Sequence, residues 1–331
     1  MNLQERILLL AKLGNYLKNN DRDWLQARLL AEQKNAWFTQ EFIQHAAEAL
    51  SHHFLQQDKM LAWADYYKID DPIQPRVVGM VMAGNIPLVG FHDFLCAFIT
   101  GHKQVIKLSS KDDILLKHLV HTMAAWDKRV NDRVHFSEML KNCDAYIATG
   151  SNNSSRYFEQ YFGKYPNIIR SNRTSVALLT GNETAEDLEK LSDDIHLYFG
   201  LGCRNVTHLY VPENYDFIPL LKSFDKYSYF TDHFKYKNNY DYQLSLLLLN
   251  KKYYMTNGST LLTENDSLFS PISQVFYRFY NNREAVQESL QGNTNVQCIV
   301  GHHQVPFGYS QNPGLFQYAD GVDTMAFLLG L

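Results

Sequence analysis

The chain has 331 residues, of which 45% are hydrophobic and 20% charged, and its formal net charge is -4. These values are typical of a folded protein with one large or two ordinary domains, and they give no electrostatic reason to propose a nucleic-acid partner. The four cysteines, Cys96, Cys143, Cys203 and Cys298, show no CxxC spacing. They therefore indicate neither a zinc site nor a disulfide framework, and they favour a reducing compartment.

The N-terminal segment has the pattern of a surface helix rather than of a targeting signal. Its first apolar run, residues 7–11, is broken by Lys12, which makes it too short for a signal peptide or a membrane span. We therefore expect a cytoplasmic protein without a membrane span. Apolar residues recur at helical spacing, and similar stretches continue to about Tyr67, which predicts a helical N-terminal section. The first such residues are Leu3, Ile7, Leu10, Leu13 and Leu17.

From Arg76 onward, short apolar runs alternate with helical patterns. Residues 77–82, 105–108 and 145–148 predict strands, and residues 88–99 and 112–125 predict helices. This order predicts an α/β fold with a parallel sheet, which binds ligands at the carboxyl ends of its strands. The polar residues expected at those ends are Asn85, Lys107, Ser109, Ser110, Thr149, Gly150 and Ser151.

These strand ends are candidate phosphate or nicotinamide sites, because helices are predicted to follow them and helix N-termini bind anions. The sequence contains neither a GxGxxG fingerprint nor a P-loop, so the common nucleotide motifs are absent. Helix capping is an alternative role for Thr149 and Ser151, since threonine and serine are preferred N-cap residues.

Cys203 is the candidate nucleophile. It follows Gly200 and Gly202, where the backbone can approach a ligand closely, and it precedes an apolar strand predicted over residues 206–211. Neighbouring amides or Arg204 can lower the pKa of a thiol in such a turn, and the thiolate is the reactive form. A buried cysteine with a purely structural role remains the alternative.

Five segments occur in the order found in the aldehyde dehydrogenase superfamily. Residues 84–87 (Gly-Asn-Ile-Pro) resemble its asparagine-containing turn, and residues 101–109 resemble its strand ending in lysine and serine. Residues 148–151 resemble its Thr-Gly-Ser loop, residues 200–203 its nucleophile segment and residues 306–308 its Pro-Phe-Gly turn. Within the superfamily, the chain most resembles the acyl-CoA reductases typified by the fatty-acid reductase component of bacterial bioluminescence.

The resemblance implies an aldehyde dehydrogenase-like fold in two domains. Residues 1–172 would hold the helical N-terminal section and a Rossmann-type NAD(P)-binding domain. Residues 173–331 would form an α/β catalytic domain with Cys203 and a C-terminal return segment. Cys203 would act as nucleophile opposite the nicotinamide, and Asn85 would stabilise the oxyanion together with the backbone amide of Cys203. The cofactor would be bound by Lys107, Ser109, Ser110, Thr149, Gly150 and Ser151.

Two departures from the superfamily pattern carry chemical meaning. Hydrolytic members have a glutamate that activates water in a Glu-Leu-Gly-Gly segment, whereas the corresponding residues 168–173 here contain no carboxylate. Excluding a hydrolytic water protects an acyl-cysteine, so this departure favours reduction of a thioester over oxidation of an aldehyde. The second departure is Ser267, which stands where a ribose-binding glutamate is expected.

The resulting hypothesis is NADPH-dependent (or NADH-dependent) reduction of an acyl-CoA or acyl-protein thioester, with fatty acyl chains expected. NADPH is favoured because Ser110 stands where NAD-preferring members of the superfamily commonly have a glutamate, whose charge would repel a 2′-phosphate. Lys107 and Lys111 add positive charge nearby. The alternative is that Asp112 and Asp113 cancel the charge of Lys111. Two alternative functions remain. One is a cysteine acyltransferase or thioesterase that uses no nucleotide, and the other is a non-catalytic acyl-protein scaffold. The sequence is also compatible with a homo-oligomer.

Three other patterns are interpreted structurally. The adjacent pairs His52-His53 and His302-His303 point their side chains in different directions on a regular element, so we expect no metal site. Residues 241–249 are leucine-rich and predict a core helix. The aromatic residues between 227 and 240 are expected in the core, with an apolar substrate tunnel as the alternative.

Overall fold

The computed structural model describes residues 1–19, 21–69 and 73–331, and these form two compact units. The first unit consists of Met1–Asn172 and Pro313–Leu331. The second unit is Arg173–Asn312. Cys203 belongs to the second unit, whereas the predicted cofactor residues and Asn85 belong to the first. The assignment of cofactor and catalytic roles to the two units stays a prediction.

The N-terminal section is helical, as predicted. Its helices are α1 (Leu3–Lys18), α2 (Arg22–Lys34), α3 (Gln40–His53) and α4 (Gln57–Tyr66). A capping box starts α1, because Asn2 accepts from the backbone N–H of Glu5 while the Glu5 side chain accepts from that of Asn2. Of the predicted apolar residues, Ile7, Leu10, Leu13 and Leu17 are fully buried in the core of the first unit.

A parallel five-stranded sheet follows, with strand order β3-β2-β1-β4-β5. The strands are β1 (Val77–Val81), β2 (Lys103–Lys107), β3 (Val134–Phe136), β4 (Ala145–Thr149) and β5 (Asn167–Arg170). The helices are α5 (Phe91–Thr100), α6 (Leu115–Trp126) and α7 (Asn152–Phe162). The chain moves outward from β1 to β3 and then returns to the other side of β1. The ends of β1 and β4 therefore mark the switch point at which such sheets bind ligands.

The second unit is built on a six-stranded sheet with order β11-β6-β7-β10-β9-β8, in which only the β8–β9 pair is antiparallel among the described pairs. Its strands are β6 (Thr174–Leu178), β7 (Val206–Pro212), β8 (Met255–Thr256), β9 (Leu261–Glu264), β10 (Gln274–Tyr280) and β11 (Val296–Val300). Its helices are α8 (Ala185–His196), α9 (Ile218–Ser223), α10 (Phe234–Leu249) and α11 (Arg283–Leu290). The predicted α/β class with parallel sheets is confirmed.

The C-terminal segment packs within the first unit, although the sequence analysis assigned residues 313–331 to the second domain. Its helix α12 (Thr324–Leu329) buries Met325 and Leu328 completely in the first unit's core. The indole N–H of Trp63 donates to the Tyr318 hydroxyl at 3.0 Å. Arg170 donates to the Thr324 hydroxyl at 2.9 Å. Apolar burial and these polar contacts determine where the return segment packs.

The leucine-rich stretch does not form a core helix, so that prediction is wrong. Residues 244–249 complete α10, and Leu246, Leu248 and Leu249 are exposed. Consecutive leucines point around the whole circumference of a helix, and the buried face of α10 is already supplied by Tyr236 and Tyr240. In the part of the chain that the structure describes, neither α10 nor any other helix has the length and apolar content to span a bilayer.

Candidate active site

Cys203 lies in a loop whose entry has an unusual backbone conformation. The loop follows a short 3-10 helix, Leu197–Gly200, and leads into β7. Tyr198, Phe199 and Gly200 all have positive φ angles, of 57°, 56° and 74°. The left-handed conformation costs roughly 1–2 kcal/mol for each residue with a Cβ. Tyr198 and Phe199 are buried, so the packing around their rings holds this turn in place.

Asn205 clamps the loop from the other side of Cys203. Its side-chain oxygen accepts from the backbone N–H of Gly202 at 2.8 Å. Its side-chain amide lies 3.1, 3.2 and 2.8 Å from the carbonyl oxygens of Asp194, Ile195 and Leu197. Asn205 is fully buried, so these partners replace water. Asn205 was not predicted as a site residue, although a polar residue between Cys203 and an apolar strand was a signal for a buried hydrogen-bonding role.

Ser175 in β6 connects the loop to a second thiol. The Ser175 hydroxyl donates to the carbonyl oxygen of Cys203 at 3.1 Å and lies 3.1 Å from the Cys298 sulfur. Burial raises the pKa of Cys298, and Arg204 opposes this shift. Burial also raises the pKa of the Cys96 and Cys143 thiols. Cys203 and Cys298 are both partly buried, whereas Cys96 and Cys143 are buried. The assignment of Cys203 as the nucleophile stays a prediction.

Asp194 ties the Pro-Phe-Gly turn to the helix that precedes the loop. Its carboxylate accepts from the backbone N–H of Gly308 at 2.7 Å and from that of Ser310 at 2.9 Å. Burial raises the pKa of Asp194 to about 6, although these two bonds favour the charged form. Asp194 was not predicted as a site residue. Its position in the apolar face of α8, between Leu191 and Ile195, was the available signal.

The sheet of the first unit brings its predicted site residues to one edge. Strands β2 and β4 both pair with β1, so Val81 lies beside Lys107 on one side and Ala148 on the other. The segments that follow these three strands are therefore neighbours. They contain Asn85, Lys107, Ser109, Ser110, Thr149, Gly150 and Ser151.

Asp112 connects two of these segments and was not predicted as a site residue either. Its carboxylate accepts from the backbone N–H of Leu88 at 2.9 Å, where Leu88 has a φ of 57°. Burial raises the pKa of Asp112 to about 7. Gly84 lies very close to Ser109. A Cβ at position 84 would be 2.7 Å from the Ser109 side chain. The turn with Asn85 is thus held against the turn that follows β2.

The charges at this edge suit a phosphate-bearing cofactor. Lys107 and Lys111 are exposed, and neither forms an ion pair with another described residue. Asp113 forms a salt bridge with Lys34 at 2.6 Å, and Asp112 is buried and accepts from the Leu88 N–H. Neither of these carboxyl groups therefore forms an ion pair with Lys111. A polyanion bound near the two lysines would therefore meet positive charge.

The α7 N-terminus adds a second anion-binding feature. Ser151 caps α7, because its hydroxyl accepts from the Ser154 N–H at 3.3 Å. The capping interpretation is thus confirmed for Ser151 and wrong for Thr149, which is the last residue of β4. A helix N-terminus carries partial positive charge and unsatisfied N–H groups. The assignment of this edge as the cofactor site stays a prediction.

The crowded aromatic residues form core rather than a tunnel wall. Tyr227, Phe230, Tyr236 and Tyr240 are buried, whereas Tyr229 and Phe234 are exposed. A cavity of about 20 Å³ lies beside Phe199, Gly200 and Tyr236. This volume has room for about one water molecule and is too small for an acyl chain. The core interpretation is therefore confirmed for the four buried rings.

A known protein family matches more than half of the chain. The sequence model described as acyl-CoA reductase (LuxC) matches residues 17–217. No curated protein matches the chain.

Solved structures with a similar fold cover most of the chain. An oxidoreductase from Marinobacter aquaeolei is 11% identical with a TM-score of 0.66, over 90% of this chain and 73% of that one. Aldehyde dehydrogenase 21 from Physcomitrella patens, solved with succinate, is 14% identical with a TM-score of 0.65. The match covers 90% of this chain and 73% of that one. A mutant indole-3-acetaldehyde dehydrogenase from P. syringae, solved with NAD+ and IAA, is 12% identical with a TM-score of 0.62. The match covers 90% of this chain and 71% of that one. At these identities the likeness shows the fold, which is the expected aldehyde dehydrogenase-like one.

Proposed function

Because the chain belongs to the LuxC acyl-CoA reductase family, we propose that it reduces a fatty acyl thioester to the aldehyde, with NADPH or NADH as hydride donor. Membership of this family makes the protein an oxidoreductase that acts on acyl or aldehyde groups. The observation that carries the finer proposal is the loop around Cys203, where a half-buried thiol follows a strained turn and is clamped by Asn205.

Cys203 would act as the nucleophile. Its thiolate attacks the thioester carbonyl, the carbon–sulfur bond to the carrier breaks, and the carrier leaves as a thiolate. The product of this step is an acyl group on Cys203. The nicotinamide cofactor supplies a hydride when bound. Addition of that hydride to the acyl-enzyme gives a thiohemiacetal on Cys203, which collapses to the aldehyde and restores the thiolate.

The negative charge that develops on the carbonyl oxygen needs hydrogen-bond donors. We assign this role to the side-chain amide of Asn85 and the backbone N–H of Cys203, as the family resemblance implies. Asp112 supports Asn85 indirectly, because its bond to Leu88 holds the end of the same turn. Losing one oxyanion donor commonly costs about 3 kcal/mol of transition-state stabilisation.

The cofactor would be held at the carboxyl edge of the five-stranded sheet. Lys107, Ser109 and Ser110 would contact it from the end of β2. Thr149, Gly150 and Ser151 would contact it from β4 and the start of α7. The solved relative with bound NAD+ supports a nicotinamide cofactor. The uncompensated charges of Lys107 and Lys111 favour NADPH.

The residues before the second unit favour reduction over hydrolysis. Residues 168–173 contain no carboxylate. Arg170 in this segment is buried and pairs with Asp93 at 2.5 Å, so this nearby carboxylate is neutralised by a salt bridge rather than placed to activate water. An acyl-cysteine would therefore persist until hydride arrives.

The decisive experiment is oxidation of NADPH and NADH with a panel of acyl-CoAs of increasing chain length, together with an acyl protein. We expect acyl-dependent oxidation and stoichiometric aldehyde. Acyl labelling without nucleotide binding would instead identify an acyltransferase or thioesterase. Acyl-chain binding without labelling would identify a scaffold.

A further inference from the structure

The chain is exposed on every side where α10 ends. Residues 248–253 (Leu-Leu-Asn-Lys-Lys-Tyr), which we call the α10 tip, are six consecutive exposed residues. The helix ends within this segment, because Lys251 has a φ of 51° and the Lys252 N–H donates to the Leu247 carbonyl oxygen at 3.0 Å. One helical turn takes 3.6 residues, so exposure over six residues means that the second unit covers no side of the chain here. The α10 tip therefore projects from the unit.

Three of the six side chains in the α10 tip are large and apolar. Leu248, Leu249 and Tyr253 are 58%, 80% and 74% exposed. Their transfer out of water is favourable, roughly in proportion to the apolar area that is covered. Consecutive helical residues lie about 100° apart around the axis, so Leu248 and Leu249 point to different sides. A flat protein surface would cover only one of them, whereas the boundary layer of a lipid bilayer can surround both.

The charged residues of the α10 tip are both basic. Lys251 and Lys252 are exposed, and neither forms an ion pair with a residue in the part of the chain that the structure describes. The preceding acidic residue in the sequence, Asp241, is paired with Lys237 on α10, and the next one, Glu264, ends β9. Lysine attracts the acidic headgroups of a bilayer, and tyrosine is enriched at the level of the headgroups. The composition of the α10 tip is thus complementary to an anionic lipid surface.

We propose that the α10 tip docks this protein on an anionic lipid bilayer. Leu248 and Leu249 enter the boundary between headgroups and acyl chains, and Lys251 and Lys252 lie at the lipid phosphates. The contact is peripheral and reversible, because a short apolar segment with a few basic residues gives far weaker binding than a spanning helix. Docking does not depend on the reaction proposed above. If that reaction takes place, docking brings the enzyme to the phase into which a long-chain aldehyde partitions.

The test is sedimentation of the full chain with vesicles of phosphatidylcholine, with and without phosphatidylserine, in the absence of nucleotide and thioester. The wild type should bind the vesicles that contain phosphatidylserine, and added salt should weaken this binding through screening. Each lysine near an anionic surface strengthens binding by about fivefold. The double variant Lys251→Gln/Lys252→Gln should therefore lower the partition coefficient on these vesicles by roughly 25-fold.

A second pair of variants tests the apolar contact. Leu248→Ser/Leu249→Ser should lower the partition coefficient by at least roughly 10-fold, because the apolar area that enters the boundary layer is lost. Leu29→Ser/Leu30→Ser is the matched control, because these adjacent leucines on α2 are 45% and 43% exposed and no lysine adjoins them. This control should bind like the wild type.

Circular dichroism and thermal melting verify that every variant is folded. Three results would each overturn the proposal. They are a wild type that does not bind vesicles with phosphatidylserine, a variant of the α10 tip that binds like the wild type, and an equal loss of binding in the α2 control. Because no substrate is present, these results do not depend on whether the chain reduces thioesters.

Discussion

The side-chain oxygen of Asn205 accepts a hydrogen bond from the backbone N–H of Gly202 at 2.8 Å, so the residues on either side of Cys203 are tied together. The amide of Asn205 is anchored to carbonyl oxygens at the end of α8 and just beyond it. The loop that carries the thiol is therefore positioned before any substrate arrives. Preorganisation of this kind lowers the barrier of a reaction that needs exact alignment of the nucleophile.

Asn205→Ala should lower both the stability and the reactivity of the protein. The substitution leaves the N–H of Gly202 and several carbonyl oxygens buried without this partner, which we expect to reduce the free energy of unfolding by about 2–4 kcal/mol. Urea unfolding measures the first effect, and the rate of acyl labelling at Cys203 measures the second. Asn238→Ala is the control, because Asn238 is exposed on α10. Equal behaviour of the two variants would show that Asn205 does not position the loop.

Cys203→Ala should abolish acyl labelling and reduction together. Cys96→Ala, Cys143→Ala and Cys298→Ala should leave activity largely intact, because burial raises the pKa of these three thiols. Mass spectrometry after incubation with acyl-CoA and without reductant locates the acyl group. An acyl group on any residue other than Cys203 would refute the assignment.

Asn85→Ala should lower kcat by about 100-fold with little change in KM, because an oxyanion donor acts mainly on charge that develops in the transition state. Steady-state kinetics with saturating cofactor separates the two parameters. A defect confined to KM would show that Asn85 contributes to binding only.

Ser110→Glu should shift cofactor preference from NADPH toward NADH by at least roughly 10-fold, since a carboxylate repels a 2′-phosphate and can bind the ribose hydroxyls. The ratio of kcat/KM for the two cofactors gives the preference. Ser289→Glu, at an exposed residue of α11 with no proposed role in cofactor binding, controls for a general effect of added negative charge. The idea fails if the wild type strongly prefers NADH or if Ser110→Glu leaves the preference unchanged.

Asp112→Asn should make stability less dependent on pH. Burial raises the pKa of Asp112 to about 7 in the folded state, whereas an unfolded aspartate has a pKa of about 4. The folded chain therefore holds a proton that the unfolded chain releases between these pH values, and stability falls as pH rises from about 4 to 7. The loss reaches up to about 4 kcal/mol.

Urea unfolding of the wild type and Asp112→Asn across this pH range isolates the contribution of Asp112. The difference between the two free energies of unfolding should grow with pH in favour of the variant. Parallel pH profiles would contradict the assignment of this carboxyl group as a buried neutral acid.

Local patterns determined much of the fold. The helical spacing from Ile7 to Leu17 predicted α1, because one apolar face is sufficient to specify an amphipathic helix. The apolar runs that became β1, β2 and β4 were also recognisable, and with them the polar residues at their ends. The order of the five superfamily-like segments predicted the fold and indicated Cys203 as the candidate nucleophile. The same order of motifs along two chains indicates the same topology even when sequence identity is low.

Only the tertiary structure decided which polar groups are buried together. The sequence places Asn205 and Asp194 among apolar residues, but it does not identify their partners or those of Asp112. These partners are backbone N–H or carbonyl groups, which the sequence does not distinguish. The leucines near the end of α10 were predicted to be buried. Four consecutive apolar residues do not show which side of a helix faces the protein core. Burial depends on which face already has partners, and for α10 that face is filled by Tyr236 and Tyr240.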